Sequence, residues 1–288
     1  MRSLREVLKQ AEADKIAVGH FNFSDLVSFN AIVAAARDTK LPVMVGVSEG
    51  EREFTGVRQA AALVQAVRVE YGLSIFLNAD HTHSIAKAEA AAKAGFDEII
   101  FDGSVLPFEE NIARTKRAIE AIKSINPAIL VEGEIGWIGA SSSVMDKVPE
   151  GVGVLTTPEE ARQFVDATKV DVLAPAVGNM HGMLSSMVRG DVQKRLNIER
   201  IAEIKAAAKI LMTLHGGSGT NDDDFKRAIK AGMTIVHVNT ELRIAWRRGV
   251  EAGLAAEAKE IAPYKILGPA FEGVKKVVGS RLELFSSR

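Results

Sequence analysis

Eight times over, a short run rich in β-branched residues is followed by a longer stretch with helical periodicity. The runs predict strands over 16–21, 42–47, 74–79, 98–101, 129–134, 170–174, 210–214 and 234–238. Helices are predicted over 26–39, 57–70, 84–94, 107–124, 158–168, 198–209, 222–231 and 239–255. Thr157-Pro158-Glu159-Glu160 puts proline and then acids in a first turn, where the helix dipole favours negative charge. Ser84 caps an Ala-rich helix in the same way. Eight βα units in ~250 residues fit a closed parallel barrel better than an open sheet. An open doubly wound sheet needs a Gly-rich turn after its first strand, whereas this chain runs into Phe21-Asn22-Phe23-Ser24-Asp25. No linker or low-complexity run divides the chain, so residues 1–288 are expected to form one TIM (β/α)8 barrel. From Glu257 onward, Pro263, Pro269 and a helical stretch over 270–278 predict a C-terminal helical extension. It is expected on the barrel exterior or against a partner subunit.

Composition narrows the chemistry. With 36 Lys+Arg against 37 Asp+Glu, the chain has no excess positive charge to draw in nucleic acid. No window approaches the ~20 apolar residues of a membrane span, so no membrane partner is expected. The amphipathic start MRSLREVLKQAEADK lacks the apolar stretch of a secretion signal, which makes a cytoplasmic location the expectation. Zero Cys removes disulfides, thiol catalysis and every Cys-based metal site. Any metal must sit on nitrogen and oxygen, which directs attention to the six His.

On such a barrel the C-terminal ends of the strands build the active site. His20 lies near the end of the first predicted strand, and His81 and His83 follow the third. His181 falls in the loop after the sixth, while His215 and His237 end the seventh and eighth. A lone His at such a place is more often a satisfied core or loop residue. Six together point to a site. Asp80, Asp102 and Glu134 fall at strand ends as well. Neutral imidazoles near carboxylates suit a divalent transition metal such as zinc. His81, His181 and His215 come from separate strands, so a closed barrel is needed to unite them. The stretch Leu214-His215-Gly216-Gly217-Ser218-Gly219 offers backbone N–H groups and a hydroxyl that can cradle phosphate. The next loop, His237-Val238-Asn239-Thr240-Glu241, opens a helix whose N-terminus also favours an anion. Metal beside phosphate points to a phosphorylated sugar or a similar small substrate.

These residues give the chain its resemblance to the class II, metal-dependent ketose-bisphosphate aldolases, over nearly its whole length. The carriers begin with Phe21-Asn22, Val47-Ser48-Glu49-Gly50 and Asp80-His81. Phe101-Asp102-Gly103-Ser104 follows, with Leu106-Pro107-Phe108-Glu109-Glu110-Asn111 and Glu132-Gly133-Glu134-Ile135-Gly136. The last are Gly178-Asn179-Met180-His181-Gly182, His215-Gly216-Gly217-Ser218-Gly219 and Val238-Asn239-Thr240-Glu241-Leu242-Arg243. The resemblance implies that His81, His181 and His215 bind zinc, and that Asp102 and Glu134 serve alternative or second metal positions. Asp80 is then the acid/base on the C4 oxygen. Gly182, Gly216, Gly217, Ser218, Asn239 and Thr240 bind the ketose phosphate, while Asn22 and Ser48 are substrate-side polar groups. A monovalent cation and a homo-oligomer, dimer or tetramer, belong to the same implication.

The implied reaction is reversible cleavage of fructose 1,6-bisphosphate to dihydroxyacetone phosphate and glyceraldehyde 3-phosphate. Breaking C3–C4 leaves charge beside the C2 carbonyl, which a divalent ion offsets. A nearby carboxylate removes and returns the C4 hydroxyl proton, so no Schiff-base Lys is needed. Four positions depart from the family pattern. His237 stands where an Asn contacts the substrate, and His83 where a small or polar residue is usual. Trp137–Ser143 replaces a Gly-Gly segment followed by acids, with Asp146 or Glu150 as substitutes, and Ser185 stands where many members place Lys. The departures keep open tagatose 1,6-bisphosphate or another phosphorylated ketose as substrate, and a non-catalytic sugar-phosphate binder. A metal hydrolase is less favoured, because His81-Thr82-His83 follows the third strand and not the first.

Overall fold

A computed structural model describes residues 2–139 and 141–287. The predicted strands form as β1 (Val18–Asn22), β2 (Val43–Val47), β3 (Ile75–Thr82), β4 (Glu98–Phe101), β5 (Leu130–Ile135), β6 (Val172–Pro175), β7 (Leu211–Leu214) and β8 (Met233–Val238). Each pairs in parallel with its neighbours, and β8 returns to β1, so the sheet closes into a TIM barrel. Both faces of every strand are buried, which is why the runs read as near-continuous apolar stretches. On the outer face Val45, Leu77, Val131, Leu173, Met212 and Val236 share one core with the surrounding helices.

The inner face carries three layers, because side chains alternate along a strand. The lowest layer is apolar: Val18, Met44, Phe76, Leu130, Val172, Leu211 and Ile235. The helix Leu4–Asp14 closes this mouth with Leu4, Val7, Leu8 and Ala11. Each large apolar side chain buried there contributes about 1.5–3 kcal/mol. Two residues along, the interior turns polar with His20, Asn78, Glu132, Thr213 and His237, all buried. Two further, Asn22, Asp80, Glu134 and His215 reach the C-terminal mouth.

Several elements were not predicted. The N-terminal helix reads in the sequence only as a charged amphipathic segment, yet Ser3 and Glu6 form a capping box that starts it. Ser48 and Glu51 form another at the start of helix Glu49–Thr55. Val144–Met145 pairs with Met183–Leu184 in a short parallel ribbon above the barrel. The final helix runs over Gly268–Ser286, longer than expected, and buries Val274, Val278, Leu282 and Phe285 against the exterior. No described helix is long and apolar enough to cross a membrane.

Candidate active site

The site begins with a break in β3. Strict alternation would send Asp80 inward and His81 outward. His81 instead takes a left-handed backbone with φ +38°, and the register against β4 slips between Ala79 and Thr82. Such a conformation is strained for a residue with a Cβ, and it re-aims the side chain. Both Asp80 and His81 therefore line the same cavity.

Three imidazoles converge there. His81 Nε2 and His181 Nε2 are 3.2 Å apart. Two nitrogens bound ~2.0–2.1 Å from one tetrahedral zinc would be about 3.3 Å apart. The ligating nitrogens of His81, His181 and His215 all lie within 4.8 Å of one another. Each ring is held from behind by an oxygen: His81 Nδ1 by Asp102 at 2.9 Å, His181 Nδ1 by the Gly139 carbonyl at 2.6 Å, and His215 Nε2 by Glu132 at 2.7 Å. His215 Nδ1 is buried and makes no hydrogen bond. Outer oxygens that fix the tautomer and one nitrogen aimed inward are what a histidine metal centre requires. The three rings could hold a divalent ion.

Carboxylates set the charge of the cluster. Burial works to lower the His81 imidazole, but Asp80, Asp102 and Glu134 outweigh it and hold the ring well above its ordinary value. Burial, then the charge on His81, takes His181 and His215 down to about 3. Burial also opposes ionisation of Asp80, yet His81, His20 and His215 keep that carboxyl well below its usual range. Asn22 Nδ2 donates to Asp80 Oδ2 at 2.8 Å, while Oδ1 stays buried and unbonded. Burial pushes Glu132 up to about 8 and raises Glu134 strongly, the latter helped by Asp102.

Beside the imidazoles, Gly182, Gly216, Ser218, Asn239 and Thr240 line the same cavity, the candidate anion pocket. Gly216 has φ +60°, and a Cβ there would strike the Met180 carbonyl, so only glycine brings this loop so close. Ser218 Oγ accepts from the Asn239 and Glu241 N–H groups, which ties the loop to the start of helix Thr240–Ala256. Gly217 stands behind the pocket, with its N–H donated to the His237 carbonyl. Ser48 lines an adjoining cavity of about 280 Å³ with Glu49, His83, Asp102 and Arg243.

Comparison with known proteins bears directly on this geometry. The sequence model described as "Fructose-bisphosphate aldolase class-II" matches residues 2–288. The chain belongs to this family. It is 35% identical over 288 residues to the "Probable fructose-bisphosphate aldolase" of Bacillus subtilis strain 168, covering 99% of this chain and 97% of the relative. It is 34% identical over 290 residues to the fructose-bisphosphate aldolase of Geobacillus stearothermophilus, covering 99% and 96%. The crystal structure of the YdjI aldolase from Escherichia coli K12 superposes with a TM-score of 0.82 at 25% identity, covering 98% of this chain and 96% of that one. As a class II aldolase the chain is a carbon–carbon lyase of a metal-dependent family, and the family implies a phosphorylated ketose substrate.

His237 lies flat on His20, with ring centroids 3.5 Å apart and planes 3° from parallel. With Asp80 the two rings form a second acidic–imidazole group. Parallel stacked rings aim their in-plane lone pairs side by side, so they do not converge on one ion as the first three do. His20, expected to line the mouth, lies a layer below it and is fully buried. Burial, offset in part by Asp80, takes His20 down to about 4, and His237 is lowered strongly by burial and its neighbouring rings. His83 stays at the exposed rim, its Nδ1 3.2 Å from the Asp102 carbonyl. In the loop after Glu134, Gly139 holds His181, and Asp146 accepts from Ser185 Oγ at 2.7 Å, so two positions expected to depart from the family pattern meet each other. The Glu150 carbonyl accepts from Trp137 Nε1. Ala140 lies outside the described residues.

Sequence reasoning missed three residues. Glu132 orients His215, and its spacing of two from Glu134 on one strand was the available signal. Glu51 accepts from Asn22 and Arg243 and so braces the acid/base candidate from the side. Lys194, buried against the Met180, Gly182 and Gly216 carbonyls, carries no local motif that would reveal it.

Proposed function

We propose that the chain catalyses reversible cleavage of fructose 1,6-bisphosphate to dihydroxyacetone phosphate and glyceraldehyde 3-phosphate, using zinc held by His81, His181 and His215. The observation that carries this reading is the inward convergence of three rear-anchored imidazoles beside an anion pocket. When bound, the divalent ion supplies Lewis acidity to the ketose carbonyl as C3–C4 breaks. Zinc suits a three-imidazole set with an open position, though imidazole also accepts other divalent metals.

The chain's own residues do the rest. The pocket lined by Gly182, Gly216, Ser218, Asn239 and Thr240 binds the ketose phosphate, with Gly217 fixing the turn behind it. Binding there orients the reacting carbons, an effect of position and not of acid strength. Asp80, ionised and with Oδ1 unbonded, accepts the C4 hydroxyl proton in cleavage and returns it in condensation. Asn22 holds the other oxygen and fixes which lone pair faces the substrate. Asp102 and Glu134 support His81 and offer a second oxygen-rich position next to it. His237, whose Nε2 is buried without a partner, contacts the reacting end of the sugar. Ser48 faces the aldehyde half.

A second reading has its own support. The cavity on the aldehyde side carries Glu49 and Asp102, and its Arg243 is already paired with Glu51. That charge balance favours a phosphorylated ketose whose far end carries less negative charge than that of fructose 1,6-bisphosphate; tagatose 1,6-bisphosphate, its C4 epimer of equal charge, stays open through the His237 and loop departures instead. A coupled assay of kcat/KM over a panel of phosphorylated ketoses separates the two. Preference for fructose 1,6-bisphosphate is expected. A clear preference for an epimer would replace the substrate and keep the chemistry, and binding without turnover of any ketose would sink the catalytic reading.

A further inference from the structure

Lys194 is 4% exposed, yet it has no carboxylate partner among the described residues. Glu241, the acid whose field reaches it, is paired with Arg281. Its Nζ donates instead to three backbone carbonyls: Met180 and Gly182 at 2.6 Å and Gly216 at 2.8 Å. Three acceptors require three N–H donors, and only the protonated amine has three. Burial draws the group down to about 7, and the charge on Glu241 works against that loss. Met180 and Gly182 flank His181, and Gly216 follows His215. The backbone of Lys194 is stitched to the same loop, through Gly219 and Asn221. Above it, the described residues lining the anion pocket include no Lys or Arg.

We propose that Lys194 is the built-in cation of the phosphate subsite: it clasps the His181 and His215 loops from below and supplies the positive charge that a bound phosphate needs. This inference rests on the reading of the Gly182–Gly216–Ser218 pocket as a phosphate cradle. Carbonyl dipoles stabilise the ammonium, and the field of the ammonium stabilises an anion in the pocket lined by Gly182, Gly216 and Ser218. With the ammonium in this place, no free monovalent cation is required there.

The test is calorimetric binding of inorganic phosphate, with zinc content measured alongside, for the wild type, Lys194→Ala and Lys194→Met. Potassium, ammonium and tetramethylammonium chlorides are compared at one ionic strength. Lys194→Ala is expected to weaken phosphate binding roughly tenfold or more and to raise the ketose-phosphate KM more than it lowers kcat. Ammonium or potassium should restore binding by entering the vacated carbonyl cage, whereas tetramethylammonium is too large. Lys194→Met, which fills the space with an apolar chain, should stay weak in every salt. Wild-type affinity in Lys194→Ala, or a loss that no small cation restores, would overturn the proposal. If neither variant folds, the wild type decides: equal affinity in all three salts supports the built-in cation, and a need for potassium overturns it. Phosphate binding does not depend on turnover. A chain that binds phosphate through Lys194 but cleaves no ketose keeps this inference and loses the aldolase reading.

Discussion

The two mouths of the barrel are made from the same strands and differ by four residues of chain. At the lower mouth Phe76, Leu130, Leu211 and their neighbours meet the helix Leu4–Asp14 and exclude water. At the upper mouth Asp80, Glu134 and His215 occupy the same inward register on the same strands, and each keeps a polar atom turned to the cavity or a neighbouring ring. Between them the buried Asn78, Glu132 and Thr213 convert one environment to the other. The comparison teaches that alternation delivers side chains to the interior without regard to their chemistry. Position along the strand decides whether they stabilise or react.

The comparison can be broken at either end. Asp80→Ala should lower kcat by about 10²–10⁴-fold, the span of a lost general acid/base. Zinc should stay bound, because Asp80 is outside the three-imidazole set, and metal analysis beside the coupled assay checks both halves. Leu8→Ala, at the lower mouth, should destabilise the fold by about 2–5 kcal/mol in denaturant titration. Its kcat/KM in the folded state should match the wild type; a catalytic defect would mean that the two mouths are not independent. Glu132→Gln, in the middle layer, should weaken zinc about 10–100-fold in competition with a chelator, since it orients His215 from behind. At saturating zinc its kcat should approach that of the wild type.

A smaller effect follows from pH. His81 is held above its ordinary value in the metal-free protein, so it keeps a proton to higher pH than a free imidazole. Binding an ion at Nε2 displaces that proton. Zinc affinity should therefore fall as pH drops, by up to about tenfold per unit for one displaced proton, and should level off once His81 is neutral. Affinity that stays flat across pH 5–8, or that rises on acidification, would remove His81 from the ligand set.

Much of this was legible in the chain. Pairing needs runs that are apolar on both faces, so all eight strands announce themselves, and β4 forms over the predicted residues. The helix Leu4–Asp14 was legible in principle through Ser3 and Glu6, but its apolar face looks like any surface helix until the barrel mouth exists to receive it. The imidazoles and Asp80 could be singled out because polar residues at strand ends have few structural reasons to be there. The inward turn of His81 could not, since it depends on a local backbone strain that alternation forbids. Lys194 was hidden for another reason: its partners are carbonyls, which every residue carries, so no side-chain pattern marks it.

The central claim is that His81, His181 and His215 hold the ion on which cleavage depends. Turnover of fructose 1,6-bisphosphate and bound zinc are to be measured together, in protein stripped by a strong chelator and then titrated with zinc. Turnover should vanish with the metal and return in proportion to zinc bound, up to about one ion per chain. His215→Ala should neither retain the ion nor recover. Full turnover in the stripped protein, or stoichiometric zinc in His215→Ala, would contradict the account.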